Sequence, residues 1–541
     1  VSIGKKKAWD MTKESFLRGA VVLTLASVVS RVIGLVYMIA LPRLIYDDGM
    51  GLYQLVKPIH YFAAVVAIAG VPVAIAKLTA EKVALGSRED VMRVFRVGTA
   101  LMLLSGGAVG LALLLGADWF AVRFAKDVGV AKTLALLGPS CFFLALSAAF
   151  RGFFQGLQCM TPTAFSQVVD QVVRVVVTVL AATWLRPQGV EMAVTGIAIG
   201  FVAGEFTGWL VLAIYYALRR ETLLATITQK PRHVPESIMQ TANKLLSLAF
   251  PAVVATILLP VMQLADSLLI PQRMQMAGYS PAIIREGLGH LGMALTLAHF
   301  PNVVTVALAT SLVPAISEAW ALQSKRLVRY RTQEALRIAL IFGIPSCATL
   351  FVLAKPLSKL LFGYGQVAAP LAILSFGAIS LGIIQASTGV LQGLGQMLIP
   401  VRNLAFGVFV KFALNYYLLV HPDFGMLGAA WGTTISWAVI ALLNLGSVYN
   451  KVGRAISLRA SLFYPSLCTV FAALWMYLCQ DTLVHFIREG AASLIALLSG
   501  FTLYFLFLMT TKSLTERDLH LLPLFGKRLS RVLYAWGFLR S

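Results

Sequence analysis

Seven ionisable residues within apolar stretches of this sequence narrow the chemistry by their types. The bases are Arg31, Lys57, Arg174 and Lys411; the acids are Asp170, Glu205 and Asp266. Arg31 is the most demanding. It lies in "LTLASVVSRVIGLVYMIALP" (Leu23 to Pro42), roughly 20 Å from either end of its apolar run at ~1.5 Å per helical residue. At that depth an arginine cannot easily reach a headgroup, and burying it costs about 2.5–3.5 kcal/mol on insertion scales. A carboxylate partner or a water-filled cavity must receive it. An excess of bases over acids favours an anionic passenger, since the planar guanidinium fork suits phosphate and lysine adds a compact positive charge. A drug-cation antiporter would show the reverse balance.

Each residue also has a plainer reading. Asp170 and Arg174 are four apart, on one helical face, and can pair locally. Lys57 can reach headgroups from a helix end, and Lys411 can line a lumen without touching a passenger. Glu205 and Asp266 have no basic neighbour in sequence; they suit a coupling cation, Na+ or H+, or a pairing with Arg31 or Lys57. There is no cluster of carboxylates and histidines poised for acid–base catalysis, which speaks against an enzyme. Cys141, Cys159, Cys347, Cys468 and Cys479 follow no metal-ligand spacing and read as small hydrophobes. Neither metal nor disulfide is expected.

The elements that must position these residues are membrane helices. The chain is 59% hydrophobic and only 13% charged over 541 residues, against about 25% charged in soluble domains. Apolar stretches long enough to span fall near 16–45, 51–76, 97–116, 133–156, 163–185, 190–218, 245–270, 292–317, 338–354, 367–393, 403–420, 425–449, 461–479 and 490–511. Placing the N-terminus in the cytoplasm and alternating through these fourteen spans puts Lys and Arg about threefold more often on the cytoplasmic side, as the positive-inside rule requires. Arg31, Lys57, Arg174 and Lys411 lie within spans. The net charge of +22 is thus explained by topology, without nucleic acid. Both termini are expected in the cytoplasm of a multi-pass protein of the bacterial cytoplasmic membrane. No signal peptide is seen, and Met11 in "MTKESFLRG" makes a natural start after Val1–Asp10. Residues 219–244 read as an amphipathic cytoplasmic linker. The tail 512–541, alternating Leu, Phe and Trp with Lys and Arg, reads as a basic helix on an anionic leaflet.

A repeat organises the spans. "FFQGLQCMTP" (153–162) after the fourth is echoed by "VLQGLGQMLIP" (390–400) after the tenth, and "AGVPVAIAK" (69–77) by "SLVPAISEA" (311–319). Two parallel six-helix lobes follow, 1–218 and 245–449, with 450–511 as an appended helix pair. In this register Arg174 falls on Lys411. Lobes of this kind enclose a cavity and expose it by alternating access. Pro58 and Pro72 in the second span, and Pro301 and Pro314 in the eighth, are candidate hinges. The stretch "SGGAVGLALLLG" (105–116) reads as a close-packing surface.

Several segments together resemble the stage V sporulation protein B and MurJ-like branch of the multidrug/oligosaccharidyl-lipid/polysaccharide exporter superfamily. They are "FLRGAVVLTLASVVSRVIG", "GMGLYQLVKPI", "AGVPVAIAKLTAE", "FPNVVTVALATSLVPAISEA" (300–319) and the "LQGLGQMLIP" turn. The resemblance covers nearly the whole chain. It implies an all-α, fourteen-helix, V-shaped flippase that moves undecaprenyl-pyrophosphate-linked glycans, including the peptidoglycan precursor lipid II, and acts as a monomer. It also implies that Arg31, in Ser30-Arg31-Val32-Ile33-Gly34, lines the cavity, and that 461–511 form a groove for the lipid tail. MurJ-like members carry Arg-Asp shortly after that glycine and an arginine before the Phe-Pro of the eighth span; this chain has Tyr37-Met38 and Thr296 there. The departures move the likeness toward sporulation-protein and general polysaccharide-exporter members, with spore cortex synthesis as the implied setting. Two other readings remain open at this level: a cation-coupled multidrug exporter, and a non-transporting scaffold of a cell-wall assembly complex.

Overall fold

A computed structural model describes residues 16–225, 227, 236–453 and 458–511. The basic tail, the start region before Phe16 and most of the linker between 226 and 235 lie outside the described residues. Within them every regular element is helical: α1 Phe16–Ile68, α2 Val71–Leu85, α3 Arg88–Phe120, α4 Ala131–Gly156, α5 Thr161–Leu185, α6 Val190–Ala225, α7 Ile238–Met276, α8 Pro281–His299, α9 Asn302–Ala321, α10 Lys325–Val352, α11 Ala354–Phe362, α12 Ala368–Ser375, α13 Gly377–Gly393, α14 Leu398–Leu418, α15 Leu427–Val452, α16 Tyr464–Leu483 and α17 Glu489–Thr510. Ten stretches among the described residues are long and apolar enough to cross a membrane, or eleven if α12 and α13, bent by 46°, form one span. One of the ten, Val21–Leu85, runs for 65 residues, at ~1.5 Å each enough for two crossings of about 40–45 Å. The chain is an all-α polytopic membrane protein.

The second and eighth spans differ from their expected form. The first two spans are one helical run with a single non-helical residue, Tyr46 (φ 63°, ψ −179°), at the turn between them. The run then breaks at Ala69 (φ 44°) and Gly70 (φ 68°) before α2 begins. The break exposes a carbonyl, and Ser105 Oγ of α3 donates to Ala67 O at 2.7 Å. The eighth span is likewise two helices. α8 reaches back to Pro281, through residues expected to form an outer loop, and stops at His299; α9 starts after Pro301. Of the four candidate hinges, Pro58 and Pro314 lie inside helices, whereas Pro72 and Pro301 stand at helix starts. There the missing N–H costs nothing, because the first turn has no partner for it.

The chain divides into two compact units, one of residues 1–272 and 280–289, the other of 273–279 and 290–541. Unit 1 is centred on Ile75, Phe95, Phe153 and Phe154, and Leu245 and Ala249 of α7 join that core. Its helices meet at glycines: a Cβ on Gly110 of α3 would lie 2.8 Å from the carbonyl oxygen of Gly138 of α4. Arg285 at the start of α8 is tied into this unit, donating from Nε and Nη2 to Asp127, with Glu191 at 3.6 Å and Asp48 at 3.9 Å. Burial pushes the Asp48 carboxyl above the usual range, against the pull of Arg285. Unit 2 has its core at Leu312, Ile316, Leu336, Val390 and Leu391. The pair α16–α17 packs on α10 of this unit, where Tyr504 donates to Ile341 O at 2.7 Å.

Candidate functional site

Arg31 is exposed, on the part of α1 before Tyr46. Helical geometry separates its exposure from that of its apolar neighbours. Val21, Leu25, Val28, Val29, Val32 and Val36 are all exposed and share one face. At 100° per residue, Thr24, Ser27 and Arg31 form a second stripe, roughly 120° round the helix from the first. The buried stripe of Ala26, Tyr37, Leu41 and Ile45 packs into unit 1. Gly34 marks the approach to α5, since a Cβ there would stand 3.4 Å from Gln171 Nε2. Arg31 makes no ion pair among the described residues.

Lys57 follows on the part of α1 after Tyr46. It is half-buried, and its Nζ sits 5.9 Å from the Tyr53 ring centroid. It too has no carboxylate at ion-pair distance among the described residues. One turn on, His60 Nε2 shares a hydrogen bond of 2.8 Å with Ser140 Oγ of α4 and meets the Phe201 ring of α6 edge-on at 5.2 Å. The Arg174 guanidinium lies over the same Phe201 ring at 4.5 Å. One ring thus connects α1 to the charges on α5.

Arg174 does not stand alone. Its Nη2 donates at 2.7 Å to Asp170 Oδ1 and, at the same distance, to Glu205 Oε1 of α6. Arg151 of α4 approaches the other Asp170 oxygen at 3.7 Å. These four groups form a buried network with no net charge. The sequence explains how α5 and α6 come close enough: α6 carries glycine at every fourth position, Gly196, Gly200, Gly204 and Gly208. A Cβ on Gly204 would fall 2.7 Å from Asp170 Oδ1, and one on Gly200 would overlap Thr178 Oγ1.

In unit 2, Lys411 is buried on α14, 6% exposed. Amides and hydroxyls also pair in the interior of this unit. Asn403 Nδ2 donates to Asn444 Oδ1 at 2.9 Å, and Asn444 Nδ2 to Thr388 Oγ1 at 3.3 Å. Asp266 is half-buried on α7. The structure therefore brings together Asp170, Arg174 and Glu205, places Arg31 and Lys57 on α1, and keeps Lys411 within unit 2. Glu205 pairs with Arg174 rather than with Arg31 or Lys57, because helix packing supplies a partner 31 residues away. Sequence reasoning missed Arg151, whose signal was a lone arginine inside the fourth apolar run. It also missed His60, which only the packing of α1 on α4 identifies. No group of three His, Cys, Asp or Glu side chains among the described residues is arranged to hold a metal.

Comparison with known proteins gives this arrangement a context. The family described as polysaccharide biosynthesis protein matches residues 16–320, and the MatE family matches residues 285–417. Stage V sporulation protein B of Bacillus subtilis (strain 168) is 28% identical over 96% of this chain and 100% of its own. Lipid II flippase MurJ of the same organism is 28% identical over 77% of this chain and 80% of its own. Among solved structures, lipid II flippase MurJ in an inward closed conformation superimposes with a TM-score of 0.66 at 17% identity, covering 92% of this chain and 99% of that one. An inward-facing MATE-family multidrug transporter gives 0.66 at 15% identity, covering 78% and 94%. The structural likenesses establish the fold. Two of these proteins are named a flippase and a transporter, and this chain is a multi-pass membrane protein and not an enzyme. With 16–320 matched, more than half of its length, the chain belongs to the polysaccharide biosynthesis protein family.

Proposed function

We propose that this protein is a flippase for an undecaprenyl-pyrophosphate-linked glycan, lipid II or a related polysaccharide unit, in the bacterial cytoplasmic membrane. Translocation proceeds by alternating access, in the service of spore cortex or cell-wall synthesis. The observation that carries this reading is Arg31: a permanently charged group at mid-depth, exposed on a polar stripe of α1 and without an acid partner among the described residues. A cation so placed needs an anion, and a diphosphate offers the oxygens that a guanidinium fork binds in pairs. Lys57, one helical segment further along α1, supplies a second positive charge. Arg174, occupied by Asp170 and Glu205, has no donor to spare at Nη2 and is assigned to the fold. Among this chain's relatives, the one named lipid II flippase MurJ supports the substrate class, and the one named stage V sporulation protein B supports the sporulation setting.

The test is translocation of a fluorescent undecaprenyl-pyrophosphate disaccharide-pentapeptide in proteoliposomes, comparing wild type with Arg31→Ala and Arg31→Lys. Arg31→Ala should abolish flipping at unchanged insertion and thermal stability, and Arg31→Lys should restore part of it. Undiminished flipping by Arg31→Ala removes the basis for this site. Dye efflux that needs Asp266 and ignores Arg31 selects the multidrug reading instead.

A further inference from the structure

We infer that Glu205 is an intramembrane proton-binding site, governed by its sharing of Arg174 with Asp170. The inference rests on how unequally the four buried charges are distributed, and it does not depend on the identity of any transported lipid. Asp170 is approached by two guanidinium groups, Arg174 at 2.7 Å and Arg151 at 3.7 Å. Glu205 is approached by one, through one oxygen. Its second oxygen, Oε2, is buried and has no hydrogen-bond partner, and the residue is 6% exposed. A carboxylate taken out of water is stabilised only if its remaining lone pairs are also satisfied. Here half of them are not. Moreover, the single atom Arg174 Nη2 serves both acids, so the two carboxylates stand close together, and like charges at such range disfavour double ionisation.

The consequence is a defined event. Hydronium from the aqueous phase gives up a proton to Glu205 Oε2: one O–H bond of the hydronium breaks to leave water, one O–H bond forms on the carboxylate, and the network passes from zero net charge to plus one. Arg174 then keeps Asp170 as its only anionic partner and loosens its hold on α6. The groups that face this exchange come from each packed helix: Arg151 and Cys141 of α4, Asp170 and Arg174 of α5 and, beyond Arg174, Tyr37, Tyr53 and His60 of α1. None is a second acid able to take over the role of Glu205, except Asp170, which has two cations beside it. Protonation on one side of the membrane and release on the other would link the α5–α6 contact to a proton gradient.

The test is infrared difference spectroscopy of the full-length protein in nanodiscs during an acid titration, read at the carbonyl stretch of a protonated, dehydrated carboxyl group. Wild type should show one such band, reversible with pH. Glu205→Gln should lack it. Glu205→Asp, which keeps the charge and shortens the side chain, should show it at a displaced frequency, so a poorly folding glutamine variant does not leave the question open. Asp170→Asn should retain the band but move its midpoint at least about one pH unit, tenfold in proton affinity, toward acid, because Glu205 then has Arg174 to itself. A band that survives in Glu205→Gln overturns the assignment. So does a wild-type protein with no such band, or an Asp170→Asn variant whose midpoint does not move.

Discussion

Replacing Arg174 by methionine separates a structural cation from a substrate-binding one. The substitution keeps most of the side chain's length and apolar packing and removes the charge. It leaves Asp170 and Glu205, 7% and 6% exposed, facing each other with only Arg151 nearby. Breaking a buried ion pair from one side costs about 3–5 kcal/mol, because the surviving charge stays desolvated. At about 1.4 kcal/mol per decade, that is roughly a hundredfold to several-thousandfold shift toward unfolding. Neutralising the whole network should cost far less: Arg151→Met, Asp170→Asn, Arg174→Met and Glu205→Gln together leave no unpaired charge, and such swaps are often close to neutral. The assay is thermal and detergent-induced unfolding of the purified protein, with the single and fourfold variants side by side. The single variant's deficit should also shrink on acidification, since protons can then replace the missing guanidinium. Were Arg174 instead held in reserve for a substrate, the single variant would unfold like wild type. Equal instability of the single and fourfold variants would refute the charge argument in favour of lost packing.

Two further predictions concern how unit 1 is held together. Gly51→Ala would place a methyl on the carbonyl oxygen of Arg285, a backbone atom that no rotamer change can move; overpacking of this kind costs about 1–3 kcal/mol or more. Limited proteolysis should then reach the 280–289 segment, while Gly107→Ala, whose Cβ meets nothing within 4 Å, should behave as wild type. Glu236 receives hydrogen bonds from Lys244 and Lys82, which hold its carboxyl below the usual range. Its folded-state value thus lies below its unfolded one, so this anchoring is present at neutral pH and lost as pH falls through the carboxylate range. Protection from hydrogen exchange at the start of α7, taken relative to the intrinsic rate at each pH, should fall on acidification in wild type and be low at every pH in Glu236→Gln; protection unaffected by either change would contradict this.

What was legible in the sequence follows the range of the interactions involved. Spans could be read because hydropathy is a local sum, and the Asp170–Arg174 pair because it needs only i and i+4. The Glu205 contact could not be read this way, since it depends on α6 lying against α5. Yet the glycines at 196, 200, 204 and 208 record that closeness, and they would have favoured a partner on α5 over one on α1. Arg31 shows the opposite case: its depth was evident from the run around it, but only the contrast between exposed valine and polar stripes assigns it a face. The prolines flagged an interruption in the second and eighth spans, but a hydropathy window averages across a break and does not fix its place. Their punctuation is nevertheless present: a left-handed glycine followed by proline at Gly70 and Pro72, and proline at the start of α9. This locates the break of the second span. Pro72, at a helix start, removes no intrahelical bond. Ala69, held at φ 44° where a Cβ is strained, joins two helical segments whose freed carbonyl is answered by Ser105. Irregular backbone at membrane depth persists only where protein or a cavity satisfies it. The break in this span therefore sits at the Ala69–Gly70 pair, with its hydroxyl partner on α3, and Pro58 lies inside the helix before it.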